Sequence, residues 1–183
     1  SCSWQKQETG LAHSQPIPDV LPPEALRGDL ETFKALLTDE QDINRFAFRF
    51  EAIDSRSVER TNLGDGETHP PYKNTWLKVR EPLTDEPWVH LGLLAYMSDL
   101  DFMSTSMLPH GREKLRGGIQ GASLDHSIWF HRPFRADQWL LFVKESPHAG
   151  GGRGFIRGKF FSRKGDLVAT AAQECLIRPV KTT

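Results

Sequence analysis

The chain has 183 residues, 38% hydrophobic and 26% charged, with a net charge of -1. That length suffices for one domain with its own core plus an appended arm. The near-neutral balance supplies no overall field for nucleic acid or an anionic membrane. Two cysteines, Cys2 at the terminus and Cys175 in an apolar run, argue against a structural disulfide and for a reducing, intracellular compartment. No run of about 18 apolar residues spans a bilayer, and no secretory signal is visible. The start Ser1-Cys2-Ser3-Trp4, without Met, reads as a fragment or processed piece of something longer.

Residues 1–28 read as an arm, because Pro16, Pro18, Pro22 and Pro23 exclude continuous helix or central strand. A short amphipathic helix is predicted over 24–38, with Leu26, Leu30, Phe33, Leu36 and Leu37 at helical spacing. Residues 43–53 alternate around Phe46, Phe48 and Phe50, predicting a half-buried strand, and 55–71 form a polar loop rich in Gly and Pro. Another strand is predicted over 73–80 around Trp76 and Leu77. Thr84 or Asp85 is placed to cap the next helix, with Glu86 and Pro87 in its first turn. That helix, roughly 86–107, is apolar on most sides, the pattern of a buried element. Strands follow at 119–130, 138–146, 153–162 and 166–178, the last two joined across Arg163-Lys164-Gly165. One long helix among strands gives an α+β fold, an antiparallel sheet wrapped around a buried helix.

Against that frame a few polar residues stand out. Asp99 lies in the middle of LLAYMSDLDFM, where an unpaired buried carboxylate is costly; a backbone-bonded structural role is the competing reading. Asp101 is expected to point elsewhere and be exposed, and Ser98 and Ser104 to be packing residues. In 121–130, Ser123, Asp125, Ser127 and Trp129 share one face, and Ala122, Leu124, Ile128 and Phe130 the other, which reads as the core face. Ser123 then faces away from the core unless a bulge at Gly117, Gly118 or Gly121 turns it. Gln173 interrupts LVATAAQECLI and must find partners, structural or functional. GASLD is no nucleophile elbow. His126, His131 and His148 lack zinc spacing and read as satisfied structural histidines. Gly150-Gly151-Gly152-Arg153-Gly154 is a phosphate-loop candidate without a following helix, so a hairpin is preferred. Arg153, Arg157, Lys159, Arg163 and Lys164 face only Asp166 nearby, a solvated hairpin face or a landing place for an anionic handle such as a nucleotide.

LLAYMSDLDFM, SLDHSIWFHRPFRADQWLLF and GGRGFIRGKFFSRKGDLVATAAQECLIR together resemble the acyl-CoA thioesterase II family, from about residue 40 to the end. The arm from CSWQKQETGL resembles the end of that family's first domain and its linker. The resemblance implies a hotdog fold, the second half of a double hotdog of roughly twice this length. Residues 1–40 would then be the end of a preceding domain and a linker arm, and 41–183 the hotdog thioesterase domain. It further implies acyl-CoA as substrate. A second hotdog is the implied partner, from the missing N-terminal half or from a homo-oligomer.

Matched residue by residue, the family's catalytic set falls on Asp99, Ser123 and Gln173. The expected reaction is hydrolysis by a positioned water without an acyl-enzyme, with Asp99 tuned by burial against Tyr96, Met97 and Trp129 and an unidentified backbone N–H as oxyanion donor. Arg153 and Arg157 are expected near the CoA phosphates, and Tyr96 and Trp129 near the substrate. No metal or redox cofactor is implied. The alternatives are an acyl-CoA-binding or assembly half-domain inactive without its partner, and a hotdog enoyl-CoA hydratase. The hydratase motif wants His five residues after the Asp, where this chain has Ser104. The family occurs in bacterial cytoplasm and in peroxisomes, and the chain ends Lys-Thr-Thr rather than in a Ser-Lys-Leu type tripeptide.

Overall fold

A computed structural model describes the residues from 2 to 180 except 4, 7, 37–50, 60–66 and 112–117. The predicted strand around Phe46, Phe48 and Phe50 lies outside the described residues. Among the described residues seven strands form one antiparallel sheet: β1 (Ile53–Ser57), β2 (Tyr72–Val79), β3 (Ile119–Ser123), β4 (Ser127–Phe130), β5 (Leu140–Gly150), β6 (Arg153–Ser162) and β7 (Leu167–Pro179). The spatial order is β1-β2-β5-β6-β7-β3, with β4 also on β7. The predicted hairpin is present, its turn closed by Gly165 at φ 88. The Gly-rich stretch is a second hairpin, with Gly151 and Gly152 in left-handed conformations between β5 and β6, not a phosphate loop.

Among the described residues two α-helices complete the fold, α1 (Asp29–Leu36) and α2 (Pro87–Asp99). In β2, in the first half of β5 and around the β6–β7 turn, apolar side chains point to both faces, so this part of the sheet has two packed sides. On one side Leu94 and Met97 of α2 pack with Phe102, Phe142, Ile156 and Phe160 in the main core. Gly158 is required there, since a Cβ would stand 2.3 Å from Phe142 Cε2. On the other side Trp76, Trp139, Leu141 and Phe161 are covered by Ile17, Val20 and Leu26 of the arm. Trp76 Nε1 donates to the Leu21 carbonyl at 2.9 Å, and Arg56 donates to that of Pro23 at 2.8 Å. The arm is therefore part of the fold rather than a loose tail.

Three expectations about the helix fail. It ends at Asp99 rather than near 107, because Asp101 adopts φ 55, a left-handed conformation that cannot propagate a helix; 3-10 turns at Met103–Ser106 and Leu108–His110 follow. Its cap is also different: Glu86 is the N-cap and makes no side-chain cap bond, while Asp85 pairs with Arg135 at 2.5 Å. Nor is α2 buried all round. Trp88 is 70% and Tyr96 52% exposed, and with exposed Gly92, Ala95 and Asp99 they form one helical stripe. Among the described residues no helix is long and apolar enough to cross a membrane.

Candidate active site

The edge of the sheet builds the site by breaking its own register. Ser123 pairs with Cys175 and Ser127 with Ala172, so four residue steps on this edge oppose three on β7. The extra residue is a β-bulge, marked by the amides of Leu124 and Asp125 both donating to the Glu174 carbonyl, at 2.9 and 3.4 Å. Asp125 locks it, its Oδ1 accepting from the Glu174 amide at 2.8 Å. The bulge falls at 124–125, not at the glycines named in the sequence analysis. Its effect is to put both Ser123 and Ile128 on the helix-facing side, with Cys175, Gln173 and Ala171 of β7. Ala122 and Leu124 accordingly do not face the core; Leu124 is 52% exposed.

Two of the three sequence-derived catalytic candidates are thereby in contact. Gln173, fully buried, donates from Nε2 to Ser123 Oγ at 2.9 Å. The network continues through residues that sequence reasoning set aside. His126 Nδ1 stands 2.5 Å from Gln173 Oε1, and its Nε2 is 2.7 Å from the hydroxyl of Ser98 on α2. Ser98 is also fully buried and lies 2.7 Å from the Ala95 carbonyl. Phe102 braces the imidazole edge-on, with ring centroids 5.9 Å apart. His126 is satisfied, as expected of a structural histidine, but the groups that satisfy it belong to the site. A histidine directly after the bulge aspartate was the available signal.

Asp99, the third candidate, follows Ser98 directly and is exposed at the C-terminal end of α2. Its carboxylate hydrogen-bonds to no described residue, and its carbonyl accepts from the Phe102 amide at 3.4 Å. The expected burial against Tyr96 and Trp129 is not found in this chain, since both are more than half exposed. Trp129, opposite Thr170, and Arg153 and Arg157 on β6 occupy the outer face of the sheet. Arg153 pairs with Glu174 and Arg157 with Glu145, each at 3.1 Å, and Arg163 with Glu24 at 2.6 Å, so the basic face has more counter-charge than Asp166 alone. The structure does not bring these residues to the Ser123–Gln173 pair.

Cys175, beside Ser123, is no candidate nucleophile: burial pushes its thiol above the usual range, and the thiol donates to the Gly154 carbonyl.

Asp101, expected to be exposed, anchors an ion triad. Its Oδ2 lies 2.6 Å from Lys73 Nζ and 3.7 Å from Lys144 Nζ. Burial favours a neutral carboxyl, but the two ammoniums outweigh it and hold Asp101 well below the carboxylate range. Burial pushes Lys144 down to about 8, against the opposing pull of Asp101. Among the described residues no three His, Cys, Asp or Glu side chains are grouped to hold a metal ion.

Comparison with known proteins agrees with this architecture. The acyl-CoA thioesterase family profile matches residues 43–176. Acyl-coenzyme A thioesterase 8 of Rattus norvegicus is 37% identical over 182 residues, covering 95% of this chain and 56% of its own length. Acyl-CoA thioesterase 2 of Haemophilus influenzae is 34% identical, with 97% and 63% covered. The crystal structure of acyl-CoA thioesterase II TesB2 from Mycobacterium marinum superposes with a TM-score of 0.76 at 36% identity, covering 97% of this chain and 61% of that one. A hot dog fold protein from Alicyclobacillus acidocaldarius, 15% identical, gives 0.68 and supports the fold alone. The chain thus spans little more than half the length of the relatives it matches. Sequence, hotdog architecture and relatives agree: the chain belongs to the acyl-CoA thioesterase family.

Proposed function

We propose that this chain carries the catalytic half of an acyl-CoA thioesterase, turning an acyl-CoA and water into a free fatty acid and CoA. Asp99 takes a proton from the attacking water, and Ser123 and Gln173 hold that water against the thioester carbonyl. Water itself attacks, the C–S bond breaks, and the CoA thiolate leaves and is protonated, with no acyl-enzyme formed. The observation that carries the reading is the bulge at 124–125, beside which Ser123 meets buried Gln173, with His126 linking that pair to Ser98, the residue before Asp99. A satisfied structural glutamine would not call for a broken strand to supply its partner.

The exposed stripe of Trp88, Tyr96 and Asp99 supports a second part of the proposal: another hotdog domain covers α2 and completes the desolvated surroundings that Asp99 lacks here. Residues 1–40 are then the end of a preceding domain and its linker, and 41–183 the hotdog domain. A cytoplasmic or peroxisomal setting fits this chemistry, and the reaction as written uses no cofactor.

The same stripe favours the competing reading, in which the chain binds acyl-CoA or assembles but turns over only with its partner half. The hydratase reading lacks its histidine, since Ser104 is turned onto the Asp101 carbonyl at 3.0 Å. Thiol release from acyl-CoAs of graded chain length, with molecular mass measured in the same sample, tests these readings. Hydrolysis supports the proposal. Binding without turnover, restored by the missing half, supports the competing one, and hydration of enoyl-CoA in place of hydrolysis would overturn both.

A further inference from the structure

The hydrogen bonds around Gln173 have a direction, and that direction decides what Ser123 can offer a substrate. Gln173 Oε1 carries no hydrogen, so the 2.5 Å contact requires the hydrogen on His126 Nδ1. With that hydrogen on Nδ1 of a neutral ring, Nε2 accepts from the Ser98 hydroxyl at 2.7 Å, whose single hydrogen is then turned away from the Ala95 carbonyl, also 2.7 Å distant. The other end of the amide, Nε2, has no available lone pair, so it donates and Ser123 Oγ accepts. Ser123 makes no other side-chain hydrogen bond to a described residue, so its own hydrogen is left over, on an exposed side chain.

The opposite arrangement is equally self-consistent. With the amide turned over, Gln173 would donate to an Nε2–H imidazole, and Ser123 would spend its hydrogen inward on Oε1. Only lone pairs would then face the substrate. A water oxygen or a developing thioester oxyanion is met by a donor, not by lone pairs. Gln173 is fully buried, so solvent cannot choose between the two states. The imidazole can, and it is itself held by Ser98 and braced by Phe102.

We propose that His126 is a positioning residue, which fixes the Gln173 amide so that the Ser123 hydroxyl hydrogen is presented to the substrate. It rests on the thioesterase reading above, and it adds a residue that touches neither water nor thioester. Because Ser98 directly precedes Asp99, the same ring ties the helix turn carrying Asp99 to the strand carrying Gln173.

The imidazole nitrogen shifts of His126, measured by NMR on the whole chain, test it independently of turnover. Hydrogen on Nδ1 is expected; a neutral ring protonated on Nε2 alone overturns the proposal. Kinetics on the hydrolysing form sharpen it, because Asn and Gln place an amide donor near the Nδ1 and Nε2 positions respectively. His126→Asn is expected to stay within about 5-fold of the parent kcat, whereas His126→Gln and His126→Phe lose about 10- to 100-fold with KM within about 2-fold. Equal losses in His126→Asn and His126→Phe mark a merely structural ring and overturn the proposal. Gln173→Ala separates it from the reading beneath: if that variant hydrolyses normally, the thioesterase mechanism fails. If it is impaired while His126→Phe is not, only the role of His126 fails.

Discussion

Two polar clusters hang on the end of α2 and meet burial in opposite ways. The relay Ser98–His126–Gln173–Ser123 is built of hydrogen-bonded groups and ends on an exposed hydroxyl. The triad Lys73–Asp101–Lys144 is built of charges and closes on itself, with Lys144 only 1% exposed. A closed triad has nothing to give a ligand, and its carboxylate holds the left-handed residue that stops the helix. With His126 protonated on Nδ1 as proposed, the relay keeps one donor in hand. The contrast separates a cluster that sets where the helix ends from one that, in the proposed mechanism, works on what arrives there.

Mutations should divide along this line. Gln173→Leu, close to isosteric, is expected to lower kcat for acyl-CoA hydrolysis by about 10²- to 10³-fold, as for loss of one oxyanion-hole donor. Its thermal midpoint should move little; a large drop in stability with activity kept would reverse the assignment. Asp101→Asn keeps a residue that tolerates the left-handed conformation but leaves two buried ammoniums unpaired. A loss of about 2–3 kcal/mol in denaturant unfolding is expected, less than for a fully buried pair because the carboxylate is partly exposed. Lys144→Met should go the other way. Its ammonium titrates near 8 in the fold, below the usual lysine value, so the unfolded chain binds its proton more tightly. Removing it should stabilise by about 1–2 kcal/mol at pH 7, where the cost of the buried charge is fully present. The gain should shrink as pH rises from about 8 towards the ordinary lysine value; a pH-independent gain would refute the electrostatic cause.

The strands of the C-terminal half were legible because apolar periodicity and glycine turns act locally. The 153–162 strand is observed over those residues, and the helix start at Pro87 lies within one residue of its expected place. The helix end was not legible, since it depends on Asp101 meeting Lys73 and Lys144 from β2 and β5, far away in the chain. The same holds for the bulge. Alternation in 121–130 assigns Ser123 and Ile128 to opposite faces, and only pairing with β7 shows that an extra residue at 124–125 reunites them. Asp99, Ser123 and Gln173 stood out as polar residues in apolar settings. Ser98 and His126 did not, because a small hydroxyl in a helix and a histidine in a dense motif look ordinary until their partners are known.

The claim that this chain hydrolyses acyl-CoA through an Asp-positioned water is tested most directly at Asp99, whose carboxylate is exposed and free of hydrogen-bonding neighbours among the described residues. Asp99→Asn should therefore fold as the parent does, by circular dichroism and thermal midpoint. Hydrolysis by the variant, assayed alongside the parent in the same oligomeric form, should fall by about 10²- to 10⁴-fold, the scale of a lost general base. A folded Asp99→Asn that releases CoA at nearly the parent rate would contradict the account.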